Sequence, residues 1–300
     1  MSSPLVNAPA ARDATTHRLW AFIALLGGGA ALGLSPIFVR LSDVGPTASA
    51  FWRLALALPV LWLWVTMHRP KRANVRPPLL NASVLAGVFF AADLGVWHWS
   101  ITYTTVANST LLANFAPIFV TLGGWWLFRQ HVSGTFIVAM IAALIGTTFL
   151  VGPSFALGGQ YVLGDALGLL TAVFYAGYML SIKRARETVS TATLMAFSTT
   201  VSVVLLFPVA LLSPQPILPA GLEGWLVLLG LALVSQVLGQ SLIAYAFAHL
   251  SAALSSVTVL IQPMVATLLA WILFSEALGV VQLLGGVLVL AGIFIARRSE

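Results

Sequence analysis

Of 300 residues, 60% are hydrophobic and only 7% are charged. A soluble domain of this length carries roughly 25% charged residues, so a water-soluble fold is excluded and a bilayer is the solvent that fits. Cysteine is absent and the net charge is +6. This excludes a disulfide framework or a cysteine metal cluster. The basic residues stand in short runs between apolar stretches, which suits lipid headgroups and not nucleic acid.

A membrane-spanning helix needs about 20 apolar residues. Breaks at proline, glycine and charge clusters predict ten spans, at 19–39, 46–67, 79–101, 105–128, 134–151, 162–182, 190–212, 222–247, 251–274 and 278–296. The first follows Arg12 and Arg18, as a signal peptide would. It is too long for a signal-peptide core and no small-residue cleavage site follows it, so it is expected to be retained. The chain then divides into a tail at 1–18, a first five-helix unit at 19–151 and a second at 162–296.

With the N-terminus in the cytoplasm, twelve of the fourteen basic residues fall in cytoplasmic segments. They are Arg12, Arg18, Arg69, Lys71, Arg72, Arg76, Arg129, Lys183, Arg184, Arg186, Arg297 and Arg298. Arg40 falls on the opposite side and Arg53 within the second span. This bias predicts a multi-pass protein of a bacterial inner membrane with both termini cytoplasmic.

The chain also repeats itself. Pro117, Thr121 and Trp125 in span 4 recur as Pro263, Thr267 and Trp271 in span 9, at a constant shift of 146 that also pairs Thr110 with Ser256 and Gly146 with Gly292. Spans 1 and 6 align at a shift of 143, with Arg40 against Lys183. Five spans per half is an odd number, so the halves must run in opposite senses. The expected fold class is an all-α membrane protein of ten transmembrane helices built as two inverted five-helix repeats. Such repeats are common in secondary transporters, with the solute near the midplane between them.

Polar groups in hydrocarbon are costly, so each is a functional candidate. Asp93 is the one acid deep in a span, and helical spacing gives it a face with Phe89, Trp97, Ser100 and Thr104. It could carry a proton, bind an ammonium group, or serve as a structural partner for Arg53. Gln236 and Gln240, four apart on span 8, could hydrogen-bond a zwitterion or a neighbouring helix. Asn114 lies on a polar side of span 4 with Thr110. Thr171, Tyr175 and Tyr178 share a side of span 6. His98 sits off the Asp93 face and ranks second. The expected substrate-binding set is Asp93, Trp97, His98, Asn114, Tyr175, Tyr178, Gln236 and Gln240. Pro117 and Pro263 each remove a helical hydrogen bond and are the expected hinges. The cavity is expected among spans 1, 3, 4, 6, 8 and 9, with spans 5 and 10 peripheral.

No zincin, nucleophile-elbow or phosphate-loop motif occurs, so no enzyme activity, cofactor or metal is expected.

The run Ala244-Tyr-Ala-Phe-Ala-His249, then Gln262-Pro263, Trp271-Ile-Leu-Phe-Ser-Glu276, Gln282-Leu-Leu-Gly-Gly286 and Ala291-Gly292 resembles the EamA domain of the drug/metabolite transporter superfamily. Trp52-Arg53 and Pro117 fit the same pattern in the first half, which departs from it at Gln130, opposite Glu276. Within the superfamily the chain is similar to the YddG-like amino-acid exporters. The resemblance implies export of a small neutral solute, an aromatic or other neutral amino acid, by alternating access. Protons are the candidate coupling ion, and the protein would act as a monomer or homodimer. The alternatives are a transporter of another metabolite or drug class, or a non-transporting membrane scaffold.

Overall fold

A computed structural model describes residues 8–68, 77–151, 162–275 and 278–299. Among them every regular element is helical. Ten helices are long and apolar enough to cross a membrane: α1 Thr16–Leu41, α2 Pro46–Met67, α3 Asn81–Tyr103, α4 Asn108–Phe128, α5 Gly134–Val151, α6 Val162–Ala185, α7 Thr191–Leu211, α8 Leu222–Phe247, α9 Ala252–Phe274 and α10 Val280–Arg298. Each expected span has its counterpart, with ends that differ by three residues at most.

The bundle is inside out relative to a soluble protein. Large apolar side chains such as Trp126, Val287 and Leu283 are exposed on its flanks, while Arg53, Asp93, Gln236 and Gln240 are buried within it. Helix ends alternate up and down, which brings Arg129, Lys183, Arg184, Arg186, Arg297 and Arg298 to one end of the bundle, hereafter the basic end. Lys183 Nζ donates there to the carbonyls of Phe247 (2.9 Å) and Leu250 (2.7 Å). The first is an orphan carbonyl at the C-terminus of α8, and the second belongs to the connector that leads into α9. Arg297 lies over the Phe22 ring at 4.3 Å and ties α10 to α1.

The repeat seen as a shift of 146 is also a repeat of local devices. Thr105 caps the N-terminus of α4 by accepting from the Asn108 amide, and Ser251 caps α9 by accepting from the Leu254 amide. Both helices then break. The first segments end at Ala113 and Val259, the residues four before Pro117 and Pro263, whose carbonyls each proline leaves unpaired. Asn114 and Leu260 occupy the break with nearly the same backbone angles, φ −70 and ψ −3 against φ −62 and ψ −4. Both helices finish on a left-handed residue, Arg129 at φ 51 and Ser275 at φ 55. Apart from glycine, positive φ is uncommon, so its recurrence at one register marks a shared fold.

The two-fold axis passes through the α5–α10 crossing. A Cβ on Gly146 would lie 2.6 Å from the Gly285 carbonyl, and one on Gly292 would lie 2.6 Å from that of Ala139. The shift of 146 carries Gly146 onto Gly292 and Ala139 onto Gly285, so the contact maps onto itself. Small residues let the two backbones touch, as small-xxx-small faces do in membranes. Around the centre the repeats interlock: α3 packs on α6, and α8 packs on α1.

The symmetry is broken where α4 and α9 meet. All eight residues of the first α9 segment, Ala252–Val259, are buried, and this segment packs on the second segment of α4, Ala116–Phe128, toward the basic end. Its continuation, Ile261–Phe274, has no buried residue and makes no comparable contact with the first segment of α4 among the described residues. The two bent helices therefore close at the basic end and part at the other.

Candidate functional site

The buried polar centre is built on α2. Arg53 enters from there, and its position is set by two bonds: Nε donates to Gln236 Oε1 on α8 (3.2 Å) and Nη1 donates to Ser35 Oγ on α1 (3.3 Å). The other end of the Gln236 amide donates to Thr199 Oγ1 on α7 at 3.1 Å. The chain Ser35, Arg53, Gln236, Thr199 thus crosses from one repeat to the other. Ser35 can take part because α1 breaks at Leu34, with Pro36 in the first turn of the following segment.

Beside it stands a stack of rings. Phe90 on α3 and Tyr178 on α6 lie 4.5 Å apart and nearly parallel, and Tyr175 follows at 6.1 Å. The Arg53 guanidinium lies over Phe90 at 5.8 Å, within cation–π range. Tyr178 donates to Gln240 Oε1 at 3.1 Å, and Tyr175 shares a side-chain hydrogen bond with Gln262 on α9.

Asp93 completes the centre. It is buried, and it lies within Coulombic reach of Arg53. Among the described residues it makes no hydrogen bond and no ion pair. The direct Arg53 partnership weighed from the sequence is therefore not formed: Arg53 gives two of its donors to Gln236 and Ser35. Its Nη2 is buried and has no partner. An unmade hydrogen bond at a buried charged group costs roughly 1–3 kcal/mol or more, so the Arg53 pole of the centre is under-satisfied.

Of the other expected residues, Gln236, Gln240, Tyr175 and Tyr178 meet here. Gln236 and Gln240 do so on a stretch of π-helix, Leu231–Gln240, and not on the regular α-helix their spacing suggested. Such widened turns recur at functional sites. In this stretch Gly239 approaches the backbone of α1, and a Cβ on Gly28 would lie 2.8 Å from the Gly239 carbonyl. The shift of 143 that aligns α1 with α6 carries Asp93 onto Gln236 and Trp97 onto Gln240. Trp97 is half-buried one turn from Asp93 and joins no hydrogen bond or ring stack among the described residues. The amide of Asn114 turns to its own helix, donating to the Thr110 carbonyl at 2.9 Å. Thr171 likewise bonds its own helix at Leu167. The His98 side chain lies outside the described residues.

Sequence reasoning missed Ser35, Thr199 and Gln262 as members of the centre. It also missed a second polar knot. Asp165, three residues into α6, accepts from Thr104 (2.7 Å) and Asn108 (3.0 Å) and pins the α3–α4 corner to α6. A groove of about 480 Å³ opens at the end away from the basic end, lined by Thr47, Trp99, Tyr103, Val209 and Leu212 among others. None of the residues of the polar centre lines it.

The EamA-like transporter family matches residues 19–152 and 162–298, one match per repeat. An uncharacterized transporter of Archaeoglobus fulgidus is 24% identical over 96% of this chain and 99% of its own. The pseudopaline exporter CntI of Pseudomonas aeruginosa is 25% identical over 83% of this chain and 85% of its own. A solved crystal structure, 18% identical, has the same fold with a TM-score of 0.77, covering 95% of this chain and 98% of that one. With ten spanning helices, inverted repeats and a family match in each, the chain belongs to the EamA-like transporter family and is a multi-pass membrane transporter, not an enzyme.

Proposed function

We propose that this transporter exports small neutral solutes, aromatic or other neutral amino acids, by alternating access at the centre around Arg53 and Asp93. One observation supports this reading most. The interface between the repeats holds a guanidinium and a carboxyl group that are not directly paired, framed by amides and tyrosine rings. A basic and an acidic group held apart suit a solute that carries both signs and sums to zero, and the rings suit an apolar side chain. The sequence suggested amides and rings without a fixed positive charge. Arg53 changes that, and Asp93 balances it. The export performed by the relative CntI supports the outward direction.

The bends beside Pro117 and Pro263 are the proposed hinges, and Asp93 is the proposed proton carrier. Trp97, Asn114 and His98 stay in the proposed substrate set as flanking groups. Reconstituted protein should show saturable counterflow of labelled phenylalanine and leucine. Counterflow of another solute class, with none of any neutral amino acid, would overturn the assignment.

The basic end is the proposed cytoplasmic end, in a bacterial inner membrane. The cysteine-free chain makes this simple to test. A cysteine at Glu187 should be shielded from an impermeant thiol reagent in intact cells, and one at Ser275 should react. The reverse pattern would invert the topology.

A further inference from the structure

Two ionisable groups in the centre are each 8% exposed, and among the described residues they form no ion pair: Arg53 and Asp93. Arg53 has one donor to spare. Nε and Nη1 are engaged, whereas Nη2 is buried with no partner. Asp93 accepts nothing among the described residues. A guanidinium donor in a dry site calls for an oxyanion, and an unpaired carboxylate calls for a donor cation. The two groups are farther apart than an ion pair, yet near enough to feel each other's charge. A solute with a carboxylate at one end and an ammonium at the other offers each of them the partner it lacks. The ring stack of Phe90, Tyr178 and Tyr175 stands beside the Arg53 guanidinium, and Tyr175, half-buried at its end, is the ring left to meet a side chain.

We infer that Arg53 and Asp93 form a two-pole subsite for a zwitterion, with Arg53 Nη2 holding the carboxylate and Asp93 holding the ammonium. This rests on the amino-acid reading above and adds the orientation of the solute and the residue that selects for its carboxylate. Gln236 and Ser35 are positioning residues here, because they act by aiming the guanidinium. The subsite explains why Arg53 is not neutralised within the protein: an internal ion pair would compete with the solute.

The test uses L-phenylalanine, L-phenylalaninamide, which lacks the carboxylate, and N-acetyl-L-phenylalanine, which lacks the ammonium. With wild-type protein, phenylalanine should raise the melting temperature and compete in counterflow, and the other two should compete at least about tenfold less well, the size expected for losing one charge-assisted hydrogen bond. In Arg53→Gln, phenylalanine should weaken by a similar factor and its advantage over the amide should vanish. In Asp93→Asn, its advantage over the N-acetyl derivative should vanish. Equal competition by the amide or the N-acetyl derivative in wild type would overturn the subsite, and this arm needs no variant to fold. So would a retained preference for phenylalanine over the amide in Arg53→Gln. A melting shift from chloride alone equal to that from phenylalanine would make Arg53 a simple anion site, which also overturns it. These failures differ from failure of the functional reading, in which wild type carries no neutral amino acid at all.

Discussion

Gln236→Glu should lower flux by at least about tenfold while leaving the melting temperature unchanged or higher, the opposite of what a merely structural amide would give. Gln236 Oε1 accepts from Arg53 Nε at 3.2 Å, and Nε2 donates to Thr199. A glutamate keeps the first contact and turns it into an ion pair. The Thr199 hydroxyl can rotate to donate in place of accepting, so no group is orphaned. The guanidinium would then be neutralised inside the protein, and the centre would change from balanced to net negative. A solute carboxylate would meet repulsion where it now meets a free donor. Gln236→Leu is the control. It strands Arg53 Nε and the Thr199 hydroxyl, each at a cost of roughly 1–3 kcal/mol, so it should lose stability as well as flux. Melting in detergent and counterflow in proteoliposomes separate the two. Normal flux with an unchanged KM in Gln236→Glu would mean that Arg53 is a structural tie.

What could be read in advance divides along a physical line. The ten spans follow from hydropathy, because burying an unpaired backbone in lipid leaves helix as the open-chain solution. The inverted repeat was legible because the devices that shape a membrane helix are residue-specific. Proline removes a helical hydrogen bond in α4 and α9, and the recurrence of Pro117 as Pro263 marked both bends. The caps at Thr105 and Ser251 and the left-handed ends at Arg129 and Ser275 fall on the same register, yet they carried no sequence signal strong enough to be noticed. Serine and threonine are common, and neither Arg129 nor Ser275 is a residue that favours positive φ.

Partners were harder to read than faces. Helical spacing placed Asp93, Gln236, Gln240 and Tyr178 toward the interior, but a face does not say which neighbour it meets. Arg53 looked like the natural counterion of Asp93 and bonds Gln236 and Ser35 instead. Ser35 comes into reach only because α1 breaks at Leu34, and Gln236 and Gln240 lie on widened turns that a 3.6-residue period misplaces. Asn114 looked like a solute ligand because it is polar and mid-span. At the break its amide bonds the Thr110 carbonyl of its own helix, a local competition common to asparagine.

The broken symmetry of α4 and α9 leads to the second large effect. In an inverted repeat, the contact one half makes at one end should be available to the other half at the opposite end, so exchanging the two contacts moves the opening across the membrane. Ser256, on the closed segment of α9, is 1% exposed, and its partner under the shift of 146, Thr110 on α4, is half-buried at the open end. Cysteine is a small hydrophobe that fits either place, and the chain has none of its own. Without solute, Thr110→Cys should react with N-ethylmaleimide about tenfold faster than Ser256→Cys, in line with a minor state populated at a few per cent. Saturating phenylalanine, by cycling the carrier, should raise the Ser256→Cys rate and slow the Thr110→Cys rate, bringing the ratio toward one. Both variants must retain flux for the comparison to hold. A ratio that ignores the solute while flux continues would show that α4 and α9 do not exchange their contacts, and the paired prolines would then be fixed bends that shape the cavity without moving it.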